Sequence, residues 1–79
     1  MTATLNGQQH LLLIQLRSGS WTTTDLAEHF EMQETNVSRE MRVLRKKGFV
    51  KSVPDNSDKR IRHHHMTDVG REYLNQKWV

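Results

Sequence analysis

The chain has no cysteine, so neither a disulfide nor a thiolate metal site can staple its fold. It also lacks a long apolar run. The longest, Leu11 to Ile14, falls far short of the roughly 18–20 residues of a membrane span. No basic segment leads into a signal sequence at the N-terminus. The implied protein is soluble, cytoplasmic and without membrane contact. Aromatic residues are scarce, and Phe30 and Phe49 fall where burial is expected, which argues against a stacking platform for RNA or single strands. The elements of catalysis are missing too. No Ser–His–Asp arrangement, paired carboxylates or glycine-rich phosphate loop can be assembled, so no enzyme and no cofactor is expected. With 79 residues the chain makes one small domain, without internal repeat or low-complexity linker. Such a core gives about 3–5 kcal/mol of net stability unless helix packing or self-association adds to it.

What is present is charge, unevenly placed. The formal net charge is +3. Residues 1–38 carry Arg17 alone against Asp25, Glu28, Glu31 and Glu34. Residues 39–71 carry Arg39, Arg42, Arg45, Lys46, Lys47, Lys51, Lys59, Arg60, Arg62 and Arg71 against Glu40, Asp55, Asp58 and Asp68. A strongly basic half joined to a mildly acidic one is the pattern of a polyanion reader, although a basic cluster by itself can be no more than a solvated face.

The hydrophobic period changes once along the chain. After a frayed start at 1–4, a first helix runs from about Asn6 to Arg17, closed by Gly19 as a left-handed cap. Leu5, Leu12 and Leu16 share one face with Leu13 beside it, while Leu11 and Ile14 point elsewhere and need cover. Trp21 sits on a short extended entry. Thr22 caps a second helix, Thr23 to Phe30, burying Leu26, Ala27 and Phe30, with Asp25 at capping-box spacing. Met32 plugs the turn. A third helix, about Glu34 to Lys47, buries Val37, Met41 and Leu44 and ends at Gly48. Alternation then takes over: Phe49–Val53 reads as a strand, 54–58 as a turn and Arg60–Met66 as the returning strand. Thr67-Asp68 starts a short last helix carrying Val69, Tyr73, Leu74 and Trp78. The expected fold is α+β and mainly α: a three-helix winged helix-turn-helix at 23–47, a hairpin wing at 49–66 and a short C-terminal helix.

Two constellations carry chemistry. With Val37, Met41 and Leu44 turned inward, the third helix presents Thr35, Asn36, Ser38, Arg39 and Arg42 outward. Arg can grip guanine O6 and N7, Asn can pair with adenine, and Thr or Ser can meet a thymine methyl or a phosphate. The wing groups Lys51, Lys59, Arg60 and Arg62 around a tight turn, suited to flanking phosphates or an A·T-rich minor groove. Basic side chains also protect hairpin edges from pairing with other chains. Thr22, Thr24, Gln33 and Lys46 complete the expected DNA-contacting set. His63-His64-His65 alternate faces, and with no Cys and only Asp68 near they read as polar strand filler, partly protonated near phosphate, rather than a zinc site.

The stretch Asp25 to Leu74 resembles the DNA-binding lobe of the multiple-antibiotic-resistance-regulator (MarR) family. The matching pieces are Asp25-Leu26-Ala27, Val37-Ser38-Arg39, and Leu44-Arg45-Lys46-Lys47-Gly48-Phe49-Val50. The wing tip Asp58-Lys59-Arg60 follows, then Met66-Thr67-Asp68-Val69-Gly70. The family's wing has an Asp-x-Arg tip followed at this spacing by Leu-Thr-x-x-Gly, with Met66 here in the leucine's place. The resemblance implies base contacts from Thr35, Asn36, Ser38 and Arg39, and an Asp58 that orients Arg60 toward the minor groove. Family members carry long flanking helices that form the dimer and enclose a ligand pocket. Only about five residues precede the first helix here, so effector sensing is not expected of these residues.

The expected function is a sequence-specific double-stranded DNA-binding regulator, a small repressor or an accessory or architectural factor of a bacterial, archaeal or mobile-element genome, associated with the nucleoid. One module has limited affinity, so a homodimer or cooperative oligomer on DNA is expected, joined through Leu11, Ile14, Tyr73, Leu74 and Trp78. The alternative is a winged-helix module that docks on a larger regulatory or replication protein through Leu11, Ile14 and Trp78, since one fold serves both uses.

Overall fold

The computed structural model describes residues 5–77, Lys77 through its backbone alone. In chain order these form α1 (Gly7–Gln15), a 3-10 turn (Leu16–Ser18), β1 (Trp21–Thr22), α2 (Thr23–Phe30), α3 (Glu34–Lys46), β2 (Val50–Pro54), β3 (Arg62–Met66) and α4 (Asp68–Lys77). The mainly helical α+β winged-helix order expected from the sequence is the one found. Trp78, part of the expected self-association face, lies outside the described residues.

Helix α1 begins with a reciprocal cap that the sequence reading did not use. Asn6 Oδ1 accepts from the Gln9 N–H at 2.8 Å, and Gln9 Oε1 accepts from the Asn6 N–H at 3.2 Å. The buried Gln9 amide also donates to Glu40 Oε1 at 2.9 Å, which joins α1 to α3. Gly19 does not form the left-handed helical cap expected of it. The last turn tightens to 3-10 geometry, the Gly19 N–H returns to the Leu16 carbonyl, and Gly19 itself sits at φ 136°, ψ −164°. This mirror-image extended conformation is open to glycine and swings the chain into β1.

The helix-turn-helix follows its pattern closely. Thr22 Oγ1 accepts from the Asp25 N–H and starts α2. Glu31 takes the left-handed conformation at φ 53° to close it, and the Met32 N–H reaches back to Ala27 O at 2.9 Å. On α3, Val37, Met41 and Leu44 have no exposed surface. Gly48, at φ 82°, ends that helix as expected.

The sheet is antiparallel with order β1-β3-β2. Its strands are shifted slightly from expectation. Phe49 precedes β2 and packs in the core, whereas Pro54 ends β2, an edge strand where a missing N–H is tolerated. Arg60 and Ile61 belong to the tip, because the Asp55 N–H donates to Ile61 O and the Ile61 N–H to Asp58 O.

The core gathers Leu5, Leu12, Leu13 and Leu16 with Leu26, Ala27, Val37, Met41, Leu44, Phe49, Val50, Tyr73 and Leu74. Tyr73 and Leu74 were expected on the self-association face. They are spent inside the chain instead: Tyr73 stacks on Phe49 at 4.7 Å between ring centroids, and Leu74 is fully buried. Leu11 remains 55% exposed and Ile14 half-buried.

The Thr-x-x-Gly motif now has a physical reason. Thr67 Oγ1 donates to Gly48 O and accepts from the Gly70 N–H, and the Thr67 N–H donates to Phe49 O. A Cβ at Gly70 would collide with the Phe49 carbonyl oxygen. Glycine is what lets α4 lie against the chain leaving α3, so this motif fixes the wing's base to the third helix.

Candidate nucleic-acid interface

Because the inward row of α3 is consumed by the core, the outward row is determined. Thr35, Ser38, Arg39 and Arg42 are exposed and, with Glu34, line one open depression. Asn36 is half-buried, and its Oδ1 accepts from Arg39 Nη2 at 3.0 Å. These two residues therefore act as a pair, the amide steadying the guanidinium. Gln33 is exposed, precedes the helix and makes no side-chain cap bond, which leaves its amide available to a ligand. Thr24 and Lys46 are exposed at the start of α2 and the end of α3. Thr22 differs: its side chain is half-buried and its oxygen is engaged in capping α2.

The wing tip is built from two carboxylates. Asp58 takes Arg60 in a fork, with Nε on Oδ1 at 3.1 Å and Nη2 on Oδ2 at 3.1 Å, and Oδ1 also accepts from the Arg60 N–H at 3.0 Å. The Arg60 side chain is nonetheless 90% exposed, so its direction is fixed while its outer face stays open. The Arg60 side chain and then its N–H hold the Asp58 carboxyl below its ordinary pKa, and Asp58 raises that of Arg60. Asp55 secures the preceding turn. Its Oδ2 accepts from the Ser57 N–H, the Ser57 hydroxyl and the Asp58 N–H, and its Oδ1 meets His63 Nε2 at 2.8 Å. These bonds, that of His63 foremost, hold its carboxyl well below the usual range. Lys51, Lys59 and Arg62 are exposed on the same hairpin.

The histidine run corrects expectation. His64 is not surface filler: it is 2% exposed, with Nδ1 at 2.7 Å from Ser52 Oγ and Nε2 at 2.8 Å from Thr23 Oγ1. Burial, then the charges of Arg45 and Arg62, push its pKa down to about 4, so the ring is neutral at physiological pH. Arg45 Nη1 donates to the same Ser52 Oγ at 2.9 Å. This network and the Gln9–Glu40 bond escaped the sequence reading, which had only a charged run and a polar strand to go on. No local signal marked them, because the pairing of His64 with Trp21 joins residues far apart in sequence. Among the described residues no group of three or more His, Cys, Asp or Glu could hold a metal ion, and no helix is long and apolar enough to cross a membrane.

Several solved structures share this fold. The transcriptional regulator BldR from Sulfolobus solfataricus superposes with a TM-score of 0.83 at 22% identity, over 91% of this chain and 52% of its own. A MarR variant from E. coli complexed with operator DNA gives 0.84 at 23% identity, over 91% of this chain and 52% of its own. The adhesin competence repressor AdcR from Streptococcus pyogenes gives 0.84 at 22%, over 92% and 55%. The chain thus spans about half the length of these structural neighbours. No curated protein sequence matches it. The sequence model of the MarR family matches residues 5–61, most of the helix-turn-helix lobe and the wing tip. On that match the chain belongs to the MarR family, whose members are transcription regulators and not enzymes.

Proposed function

We propose that this chain, as a single winged helix-turn-helix domain, binds double-stranded DNA in a sequence-specific way and serves a transcriptional regulator, a repressor or accessory factor acting in the cytoplasm at the nucleoid. Helix α3 enters the major groove and the wing reaches the flanking backbone or minor groove. The observation that carries this reading is the exposed row Thr35, Ser38, Arg39 and Arg42 on a helix whose opposite face is wholly buried. Nothing bulky and apolar interrupts that row, and guanidinium groups dominate it, as major-groove recognition requires. The forked Arg60 at the wing tip supports the second contact, because an oriented guanidinium loses less rotamer entropy on meeting DNA. A structural neighbour complexed with operator DNA supports DNA as the ligand.

Copies of the chain would pair or bind cooperatively, since one such module buries little DNA surface. With Tyr73 and Leu74 committed to the core, the self-association candidates left among the described residues are Leu11 and the half-buried Ile14, which line an apolar depression with Leu5 and His10. That exposed leucine also favours a second reading, a module docked on a larger protein.

Selection from random duplexes at about 150 mM salt tests the proposal, because bulk phosphate attraction is then subdued. An enriched inverted or direct repeat is expected, with half-site spacing that reports the assembly. Weak binding without enrichment would refute sequence-specific reading and favour the docking module.

A further inference from the structure

We infer that the hydrogen-bonded chain Arg45–Ser52–His64–Thr23, centred on the buried His64, is a positioning device that fixes the wing to the recognition helix, so that the two contact DNA as one rigid body. This inference rests on the DNA-binding reading above. His64 stands where the sheet register crosses: it is opposite Trp21 of β1 on one side and Ser52 of β2 on the other. Its Nε2 meets Thr23 directly, and its Nδ1 meets Ser52, which in turn accepts from Arg45. Thr23 is the first residue of α2, and Arg45 lies in the last turn of α3. The ring and Ser52 together thus tie β2, β3, α2 and α3 to one another.

A guanidinium can only donate, so Ser52 Oγ accepts from Arg45. A neutral imidazole completes the chain in either tautomer: the Ser52 hydroxyl donates to Nδ1 and Nε2–H to Thr23 Oγ1, or Nδ1–H donates to Ser52 Oγ and the Thr23 hydroxyl to Nε2. A neutral ring suits this chain at both ends, and among the described residues no buried side-chain nitrogen or oxygen is left without a partner.

A leucine would fill such a site without the desolvation cost of a buried imidazole. What a leucine lacks is direction: hydrophobic contact lets packed elements slide, whereas hydrogen bonds with fixed angles do not. Beyond His64 the hairpin has little else to hold it. Val53 is 45% exposed and Ile61 42% exposed, and the tip bonds of Asp55 and Asp58 all lie within the wing. The angle at which Arg60 is presented is therefore set at this crossing together with the base that Thr67 and Gly70 fix.

The test measures the affinity of the full chain for the duplex enriched in the selection. In the native background, Arg60→Ala and Arg39→Ala should each weaken binding about tenfold. In the Ser52→Ala or Thr23→Val background, Arg60→Ala should cost less than about threefold while Arg39→Ala keeps its full effect, because a loose wing no longer holds Arg60 in place. Ser52→Thr, which keeps the hydroxyl, should restore the native response. Thermal melts establish that each variant is folded. An unchanged Arg60→Ala effect in folded Ser52→Ala and Thr23→Val overturns the inference. So does failure of both variants to fold, which would make the network structural alone. If instead no duplex is enriched, or both arginine substitutions are neutral in the native background, the DNA-binding reading fails and this inference goes with it.

Discussion

The recognition helix and the wing are held in opposite ways. On α3 the fixing residues Val37, Met41 and Leu44 are fully buried, and the residues that face outward do little to hold the helix in place. In the outer wing the apolar residues Val53 and Ile61 are largely exposed, and order comes from Asp55 and Asp58 with their hydrogen bonds. Burial is non-directional and grows with apolar area, so it resists salt and acid; hydrogen bonds to carboxylates are directional and respond to both. The largest expected effect follows from the first half of this contrast. Leu44→Ala should lower unfolding stability by about 2–5 kcal/mol in a denaturant titration. Asp55→Asn should leave the unfolding midpoint nearly unchanged while accelerating amide exchange at Ser57 and Asp58. A global loss from Asp55→Asn as large as that from Leu44→Ala would erase the distinction.

Gly70 stands between the two regions, since it lets α4 press on the chain that leads from α3 into β2. The collision a methyl would make there is with backbone, which cannot rotate aside. Gly70→Ala should therefore cost about 1–3 kcal/mol, read as a lowered melting temperature. A neutral result would show that α4 can withdraw without loss, and that close packing at Gly70 is not needed to fix the wing's base.

These two regions were also unequally legible in the sequence. The helix was readable because its signals are local and periodic: Val37, Met41 and Leu44 at helical spacing, Gly48 beyond the end. The tip pair Asp58–Arg60 was readable through its resemblance to a known wing. His64 was not, because strand alternation says which residues share a face and not which face is covered. Its burial depends on β1 pairing with β3, a contact far away in sequence. Tyr73 and Leu74 failed for a related reason. An amphipathic last helix shows that its apolar side is buried, but not whether its cover is its own chain or another copy.

Acid should sharpen the contrast. His64 is held near a pKa of about 4 when folded, against 6.5 ordinarily, so the unfolded chain takes up the proton more readily. Its contribution to stability is complete above about pH 6.5 and is lost as pH falls toward 4. Between pH 7.5 and 5 the chain should lose about 1–2 kcal/mol, allowing for screening by nearby solvent, and His64→Gln should flatten that slope. The carboxylates of Asp55 and Asp58, whose pKa values are lowered, contribute above the ordinary carboxylate range and lose that contribution only in stronger acid. An undiminished slope in His64→Gln would place the acid-sensitive group elsewhere.

The smallest effect separates two roles of Asp58 that oppose each other. As the partner of Arg60 it orients the guanidinium, which favours binding; as an anion beside phosphate it repels, which disfavours binding. Asp58→Ala removes both at once, so at low salt the two changes should nearly cancel. Salt distinguishes them, because the Debye length shrinks to about 8 Å at physiological ionic strength and the repulsion is screened, while the lost orientation is not. The affinity ratio of Asp58→Ala to native chain should thus stay near unity at low salt and reach about threefold weaker as salt rises. Tighter binding by Asp58→Ala at every salt concentration would mean that the fork restrains Arg60 away from DNA. The wing would then reach the duplex through Lys59 and Arg62 instead.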